Sequence, residues 1–157
     1  MGRMSTKYRV QNPKNNEIVE SFDFITDDEL ETALATANDT FKQWREKSFE
    51  ERAEVLRKVA TLFDEQRAEL TRIIAEEMGK SVKEGDGEIN DVVEIFNYYA
   101  DNGAEFGADE EIPNQRGGTS VMRKVPLGVI LGIMPWNFPY YQVARFAAPA
   151  LMAGNVV

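Results

Sequence analysis

Residues 127–139 read LGVILGIMPWNFP, and they decide the fold. Residues 127–133 are apolar or glycine throughout, which is typical of a strand covered on both faces in a parallel sheet. A helix is predicted from Tyr140 to Ala153, because Pro139 suits a first helical turn and Gly154 suits the left-handed position after a last turn. Residues 155–157 then begin a second apolar strand. Residues 126–157 are therefore predicted to form a truncated βαβ unit that lacks the later strands.

A helical region is predicted over residues 26–105. It has three helix starts, in which a hydroxyl residue is followed three positions later by Glu, so that each can cap the other. These pairs are Thr26 with Glu29, Ser48 with Glu51, and Ser81 with Glu84.

The apolar residues of each predicted helix share one face. The first helix, from about Asp27 to Lys47, should pack through Leu30, Leu34, Ala37, Phe41 and Trp44. The second apolar stripe should break near Gln66 and end at Gly79. The third should be buried through Val82, Ile89, Val92, Val93, Phe96 and Tyr99.

Strands are predicted on both sides of the helices. Residues 1–25 should contain a hairpin, because two short apolar segments flank the turn-forming residues 12–16. Residues 106–125 are interrupted by Gly and Pro and then alternate weakly, which predicts an arm of antiparallel strand. We expect this arm to serve in oligomerisation.

Composition excludes several classes of function. The 157 residues contain 43% hydrophobic and 29% charged residues, as expected of one globular domain. A net charge of −9 argues against nucleic acid as a partner, and no apolar run is long enough to span a membrane. We therefore expect a cytoplasmic protein. With neither Cys nor His, the chain lacks a thiol nucleophile, an imidazole base and an ordinary zinc site.

The loop after residue 133 is the candidate site. Sites in α/β proteins form beyond the carboxyl ends of strands, and Pro135 and Pro139 stiffen this loop on both sides of Asn137. The Asn137 amide and the nearby helix amino terminus could therefore present hydrogen-bond donors. Alternatively, Asn137 caps the helix and Trp136 fills a gap in the packing.

The sequence around this loop strongly resembles the aldehyde dehydrogenase superfamily. The resemblance rests on residues 125–139 (VPLGVILGIMPWNFP) and 147–155 (AAPALMAGN). The layout of Asn12-Pro13, Trp44, Arg52, residues 76–80 (EEMGK) and 87–89 (GEI) is also similar. It covers essentially the whole chain, but only about the first third of a family member.

This resemblance implies an α/β fold in which a helical region precedes the start of a parallel, Rossmann-like cofactor-binding sheet. Residues 1–157 would then be the amino-terminal part of one cofactor-binding domain, and the cofactor would be NAD or NADP. Asn137 would be the catalytic oxyanion donor, which stabilises the alkoxide formed when a thiolate attacks an aldehyde. Ile133, Met134, Pro135 and Trp136 would contact the nicotinamide ribose side of the cofactor.

The helix after the loop would line the aldehyde tunnel of such an enzyme. Phe138 starts this segment, and Tyr141 and Arg145, four residues apart, share a helix face. In having Arg at position 145, the chain resembles the succinate-semialdehyde dehydrogenases. This Arg could bind the distal carboxylate of a semialdehyde. The alternative is a solvated Arg on a surface helix.

The residues that such an enzyme needs as nucleophile and general base are not in this sequence. We therefore expect the 157 residues alone to be inactive, and the complete protein to be a homo-oligomer. An alternative function is a helical protein-interaction module without catalysis. A carboxylate-based hydrolase is a weaker one, because the many Glu residues fall on solvated helix faces.

Overall fold

The structure is a computed structural model that describes residues 8–115 and 117–157. It contains five helices, two short antiparallel hairpins and one isolated parallel bridge. The helices are α1 (Asp27–Trp44), α2 (Phe49–Glu65), α3 (Arg67–Met78), α4 (Val82–Phe106) and α5 (Pro139–Met152). The strands are β1 (Tyr8–Gln11), β2 (Ile18–Phe22), β3 (Glu110–Ile112) and β4 (Ser120–Met122).

The predicted helix starts are confirmed. Thr26 and Ser48 form complete capping boxes with Glu29 and Glu51, in which both partners bond to the backbone of the other. Ser81 caps α4 by accepting the backbone N–H of Glu84, and its hydroxyl donates to the Glu84 carboxylate. The cap hydroxyls satisfy donors that the first turn of a helix leaves unpaired.

The predicted helix boundaries are also close to those observed. Gln66 separates α2 from α3, and Gly79 ends α3 with a left-handed φ of 77°. The helix α5 begins at Pro139 and is followed by Gly154 with φ 91°. α1 ends at Trp44, somewhat before Lys47.

The core lies where α2, α4 and α5 pack together. Its buried residues include Leu56 from α2, Val92 and Phe96 from α4, and Ala148 and Met152 from α5. The small residues of α5, the helix that follows the candidate loop, allow the helices to approach closely. At Gly103 of α4, an added Cβ would lie only 2.2 Å from Cγ of Met152 on α5.

The predicted core face of α1 is wrong, whereas that of α4 is confirmed except at its first residue, since Ile89, Val92 and Phe96 are buried. No residue of α1 is buried, and Leu30 and Leu34 are 44% and 49% exposed, because α2, α4 and α5 fill the core among themselves. Trp44 links α1 to this group by donating its indole N–H to the Leu151 carbonyl at 2.9 Å. Val82 is 67% exposed because α3 crosses α4 one turn later, at Gly85 against Thr71.

The prediction of a fully covered strand at residues 127–133 is also wrong. The segment makes one parallel bridge, Val129 to Val156, and Leu127, Leu131 and Ile133 are 83–89% exposed. A strand is held by a ladder of hydrogen bonds to a neighbouring strand. Within the described residues, only 155–157 lie alongside this one, so the segment stays extended without a ladder. The parallel bridge is nevertheless the start of the predicted parallel sheet.

The two hairpins agree with the sequence pattern. β1 pairs antiparallel with β2, and β3 with β4, so the arm predicted at residues 106–125 is an antiparallel hairpin. Its role in oligomerisation stays a prediction, as does the assignment of residues 1–157 to one cofactor-binding domain. None of the described helices is long and apolar enough to cross a lipid bilayer.

Candidate active-site loop

The loop of residues 133–138 lies between the parallel bridge and the start of α5. Asn155 fixes the chain before it, because its side-chain Oδ1 accepts the backbone N–H groups of Leu127 at 2.7 Å and Gly128 at 3.1 Å. The Asn155 side-chain amide also donates to the carbonyl of Ala150 at the end of α5. The segment that enters the loop and the helix that leaves it are thereby tied together.

The side chain of Asn137 is exposed on this loop. It does not cap α5, since the N-cap is Phe138 and no side chain of the cap position bonds to the first turn. The alternative that Asn137 caps the helix is therefore wrong. No described residue forms a hydrogen bond with its amide, which leaves both N–H donors available to a bound molecule.

Three residues predicted to contact substrate lie together, Tyr141 and Arg145 on α5 and Phe138 at its N-cap. The Phe138 and Tyr141 rings are 6.1 Å apart in an edge-to-face arrangement. The guanidinium carbon of Arg145 lies 5.7 Å from the centre of the Tyr141 ring, and Arg145 is exposed. The Arg145 guanidinium and the two aromatic rings therefore lie along the beginning of α5, just after Asn137 in the chain.

Four residues predicted to contact the cofactor form an exposed strip. Ile133 is 86% exposed, Trp136 76% and Met134 37%, and Pro135 is exposed between them. An apolar strip of this kind suits contact with the flat face of a nicotinamide ring, but it carries no cation that could bind phosphate. Across the described residues there is also no cluster of acidic side chains that could hold a metal ion.

Sequence comparison gives the context for this loop. The sequence model of the aldehyde dehydrogenase family matches residues 2–157, which is nearly the whole chain. The chain belongs to this family. The parallel bridge, the Pro-flanked loop and α5 are thus the start of an aldehyde dehydrogenase cofactor-binding sheet.

The curated aldehyde dehydrogenases that the chain resembles include several named for one substrate. A protein of Deinococcus radiodurans named succinate-semialdehyde dehydrogenase [NADP(+)] is 39% identical over 155 residues, covering 99% of this chain and 32% of the relative. One of Mycobacterium bovis, named succinate-semialdehyde dehydrogenase [NADP(+)] 1, is 42% identical over 147 residues, covering 92% and 32%. The chain thus spans about a third of the length of these relatives.

Solved aldehyde dehydrogenases share the fold of this third. The succinic semialdehyde dehydrogenase of Streptococcus pyogenes, in complex with NADP+, matches with a TM-score of 0.90 and 36% identity, over 94% of this chain and 32% of that one. A betaine aldehyde dehydrogenase of Staphylococcus aureus in complex with NAD+ matches with a TM-score of 0.87 and 29% identity, over 95% and 30%. The incomplete α/β fold expected from the sequence is confirmed.

Sequence reasoning missed an ion pair beside the loop. Lys80 and Glu88 pair with each other, and their side chains are only 6% and 0% exposed. Glu88 is the one buried carboxylate among the described residues, and its partners are a cation and backbone amides. The described residues therefore contain no pair of buried carboxylates, which the hydrolase alternative requires.

One signal in the sequence could have identified Glu88 as a buried charge. Glu88 lies on the apolar stripe of α4, after Gly85 and before Ile89 and Val92. A carboxylate on a buried helix face needs a compensating charge and hydrogen bonds. The identity of its partner, Lys80, depends on the turn at Gly79 and could not be read from spacing alone.

Burial also changes the acidity of a side chain next to the loop. Tyr140 packs edge-on against Phe63 at 5.7 Å between ring centres. Burial of the Tyr140 hydroxyl, with smaller contributions from nearby Glu77 and Glu88, raises its pKa above the ordinary value. Tyr140 therefore stays a neutral hydrogen-bonding group in the physiological range.

Proposed function

We propose that this chain is the amino-terminal third of an NADP-dependent succinate-semialdehyde dehydrogenase, which oxidises succinic semialdehyde to succinate. Family membership and the names of the similar proteins support an aldehyde dehydrogenase with this substrate. The single observation that carries the substrate assignment is the unpaired Arg145 on α5. We further propose that the complete enzyme is a cytoplasmic homo-oligomer.

Arg145 differs from other arginines on the surface. Arg57, Arg67 and Arg72 are each held by two carboxylates. Arg145 forms no ion pair with any described residue, although the chain is rich in acidic residues, and its guanidinium is steered by the Tyr141 ring. An unpaired guanidinium has its planar donors free, and these match the distal carboxylate of a semialdehyde.

Asn137 supplies the second function of this segment. Its exposed amide lies on a loop that Pro135 and Pro139 restrain, so the donor needs little reorganisation when charge develops on the aldehyde oxygen. A neutral amide donates without losing a proton. With Arg145 binding the far carboxylate, Asn137 would contact the reacting end of the same molecule.

The residues that fit the cofactor are Ile133, Met134, Pro135 and Trp136, whose exposed strip would contact its nicotinamide ribose side. The cofactor, when held there, would supply the hydride acceptor that the oxidation of an aldehyde requires. The strip carries no charge, and it would exclude water from one side of that contact. The thiol nucleophile would come from residues other than these, because the chain has no Cys.

The test compares two aldehydes in the complete enzyme. Arg145→Gln should lower kcat/KM for succinic semialdehyde, with a loss of transition-state stabilisation of about 1.5–3 kcal/mol, because a charge-assisted bond is lost. The kcat/KM for butanal should not change. The matched variant Asn137→Ala should lower kcat for both aldehydes, because the activation free energy rises by about 2.7–4 kcal/mol. The 157-residue chain alone should give no NADP reduction with either aldehyde.

Equal losses on both aldehydes in Arg145→Gln would contradict the substrate assignment. Reduction of NADP by the purified chain, at confirmed mass, would contradict the incomplete site. The alternative of a helical interaction module is favoured only by the exposed Leu30 and Leu34 face of α1. It predicts that the complete protein oxidises no aldehyde at all.

A further inference from the structure

A carboxylate from another helix holds the amino terminus of α5. The N-cap Phe138 offers no side-chain acceptor, yet Glu88 Oε1 accepts the backbone N–H groups of Tyr140 at 2.8 Å and Tyr141 at 3.0 Å. Negative charge is favourable at this end of a helix, because unpaired N–H groups and the helix dipole point toward it. Glu88, which belongs to α4, therefore caps the amino terminus of α5.

Lys80 links the same carboxylate to the loop. Its ammonium pairs with Glu88 Oε2 and lies 3.5 Å from the centre of the Phe138 ring. A cation over an aromatic face is attracted to it, and more strongly where water is excluded. Phe138 directly follows Asn137, so the pair contacts the chain immediately after the candidate oxyanion donor.

The turn before Lys80 explains how this side chain enters the interior. Gly79 has a left-handed φ of 77°, and a Cβ there would lie 2.8 Å from Cγ of Pro13. The chain therefore reverses tightly and directs Lys80 toward α4. Lys80, Glu88, Phe138 and Asn137 then line one groove of 510 Å³.

We propose that Lys80 and Glu88 are positioning residues, which fix the start of α5 and the loop so that the Asn137 amide points at the aldehyde oxygen. This inference rests on the proposed function. A displacement of about 1 Å in a reacting group can reduce the rate on the order of 100-fold. A pair that served stability alone would affect the rate independently of Asn137, whereas a positioning pair acts through it.

The test replaces the pair without leaving a buried charge. Lys80→Met with Glu88→Leu should fold, since apolar residues of similar volume often substitute for a buried pair. In the complete enzyme it should lower kcat for butanal about 10- to 100-fold. In the Asn137→Ala background the same double replacement should lower kcat no further. Lys80→Met with Glu88→Gln should recover part of kcat, because the Gln oxygen can still accept from Tyr140 and Tyr141 while the cation beside Phe138 is missing.

A second readout uses the 157-residue chain and does not depend on activity. The Lys80→Met, Glu88→Leu variant should accelerate hydrogen exchange of the Tyr140 and Tyr141 amides and shift the NMR signal of the Asn137 side-chain amide. Exchange at Ala148, in the middle of α5, should change little. The control replaces the exposed pair on α3, Arg72→Met with Glu76→Leu, and should move neither readout.

Three results would overturn the proposal: an unchanged kcat in the Lys80→Met, Glu88→Leu enzyme, an equal fall with and without Asn137, or equal effects in the α3 control. If Asn137→Ala itself leaves kcat unchanged, the proposed function fails and hydrogen exchange decides the inference. Faster exchange with a shifted Asn137 signal then supports positioning of the loop, and unchanged exchange refutes it.

Discussion

Two apolar regions of this molecule have opposite environments. In the α2, α4 and α5 core, Leu56 and Val92 are fully buried. In residues 127–133, an equally apolar sequence leaves Leu127 89% and Ile133 86% exposed. The difference is in the neighbours, because each core helix is packed by two others while the extended segment has one bridge to Val156.

This contrast shows that hydrophobicity alone does not bury a segment. Helices satisfy their own backbone groups, so three of them can close a core without further chain. A strand needs its ladder from other strands, and the described residues supply only the start of one. The extended segment is therefore exposed, while the three helices close a core among themselves.

The sharpest test of the contrast truncates the same residue type on each side. Leu56→Ala should lower the free energy of unfolding by about 2–5 kcal/mol, because a cavity is left in a closed core. Leu131→Ala, at a residue 83% exposed, should change it by less than about 0.5 kcal/mol. Urea denaturation of the 157-residue chain measures both, and comparable losses would mean that the segment is buried in solution.

Two glycines of α4 test how tightly the core is closed. Gly103→Ala should destabilise by about 1–3 kcal/mol, since its Cβ would overlap the buried Met152 side chain. Gly87→Ala, where nothing lies within 4 Å of the added Cβ, should stabilise by about 0.5–1 kcal/mol through helix propensity. Thermal melts give both values. A gain at Gly103 would show that α4 and α5 are less closely packed than described.

The smallest effect concerns pH and belongs to the helical side alone, because residues 127–133 contain no titratable side chain. Hydrogen bonds from the backbone N–H and hydroxyl of Ser48 lower the pKa of Glu51 below its ordinary value. The capping box therefore stabilises the folded chain above about pH 4.3, and this stabilisation is lost as the pH falls through the lower folded pKa.

Glu51→Gln checks this directly. The variant should be less stable than the parent at pH 7, and the difference should shrink toward zero in acid, as measured by urea denaturation at a series of pH values. Glu54→Gln is the control on the same helix, because the Glu54 side chain forms no hydrogen bond or ion pair with a described residue. A difference for Glu51→Gln that is constant with pH would rule out a role for its charge.

The success of sequence-based prediction also differs between the regions. The helix starts at Thr26, Ser48 and Ser81 and the turn at Gly79 were predictable, because a cap depends on residues within one turn. The exposure of α1 was not, because its apolar face has the same periodicity as a buried one. Which helices close the core is settled only when they compete for the same surface.

The candidate site divides in the same way. The sequence by itself determined the stiff loop around Asn137 and the alignment of Tyr141 with Arg145 along α5, because prolines and helical periodicity are local properties. Only the tertiary structure decided that Glu88 caps α5 and that Lys80 lies over Phe138. The physical reason is that a buried charge must find its partners across the fold, and contacts between residues as distant as Glu88 and Tyr140 leave no periodic trace in the chain.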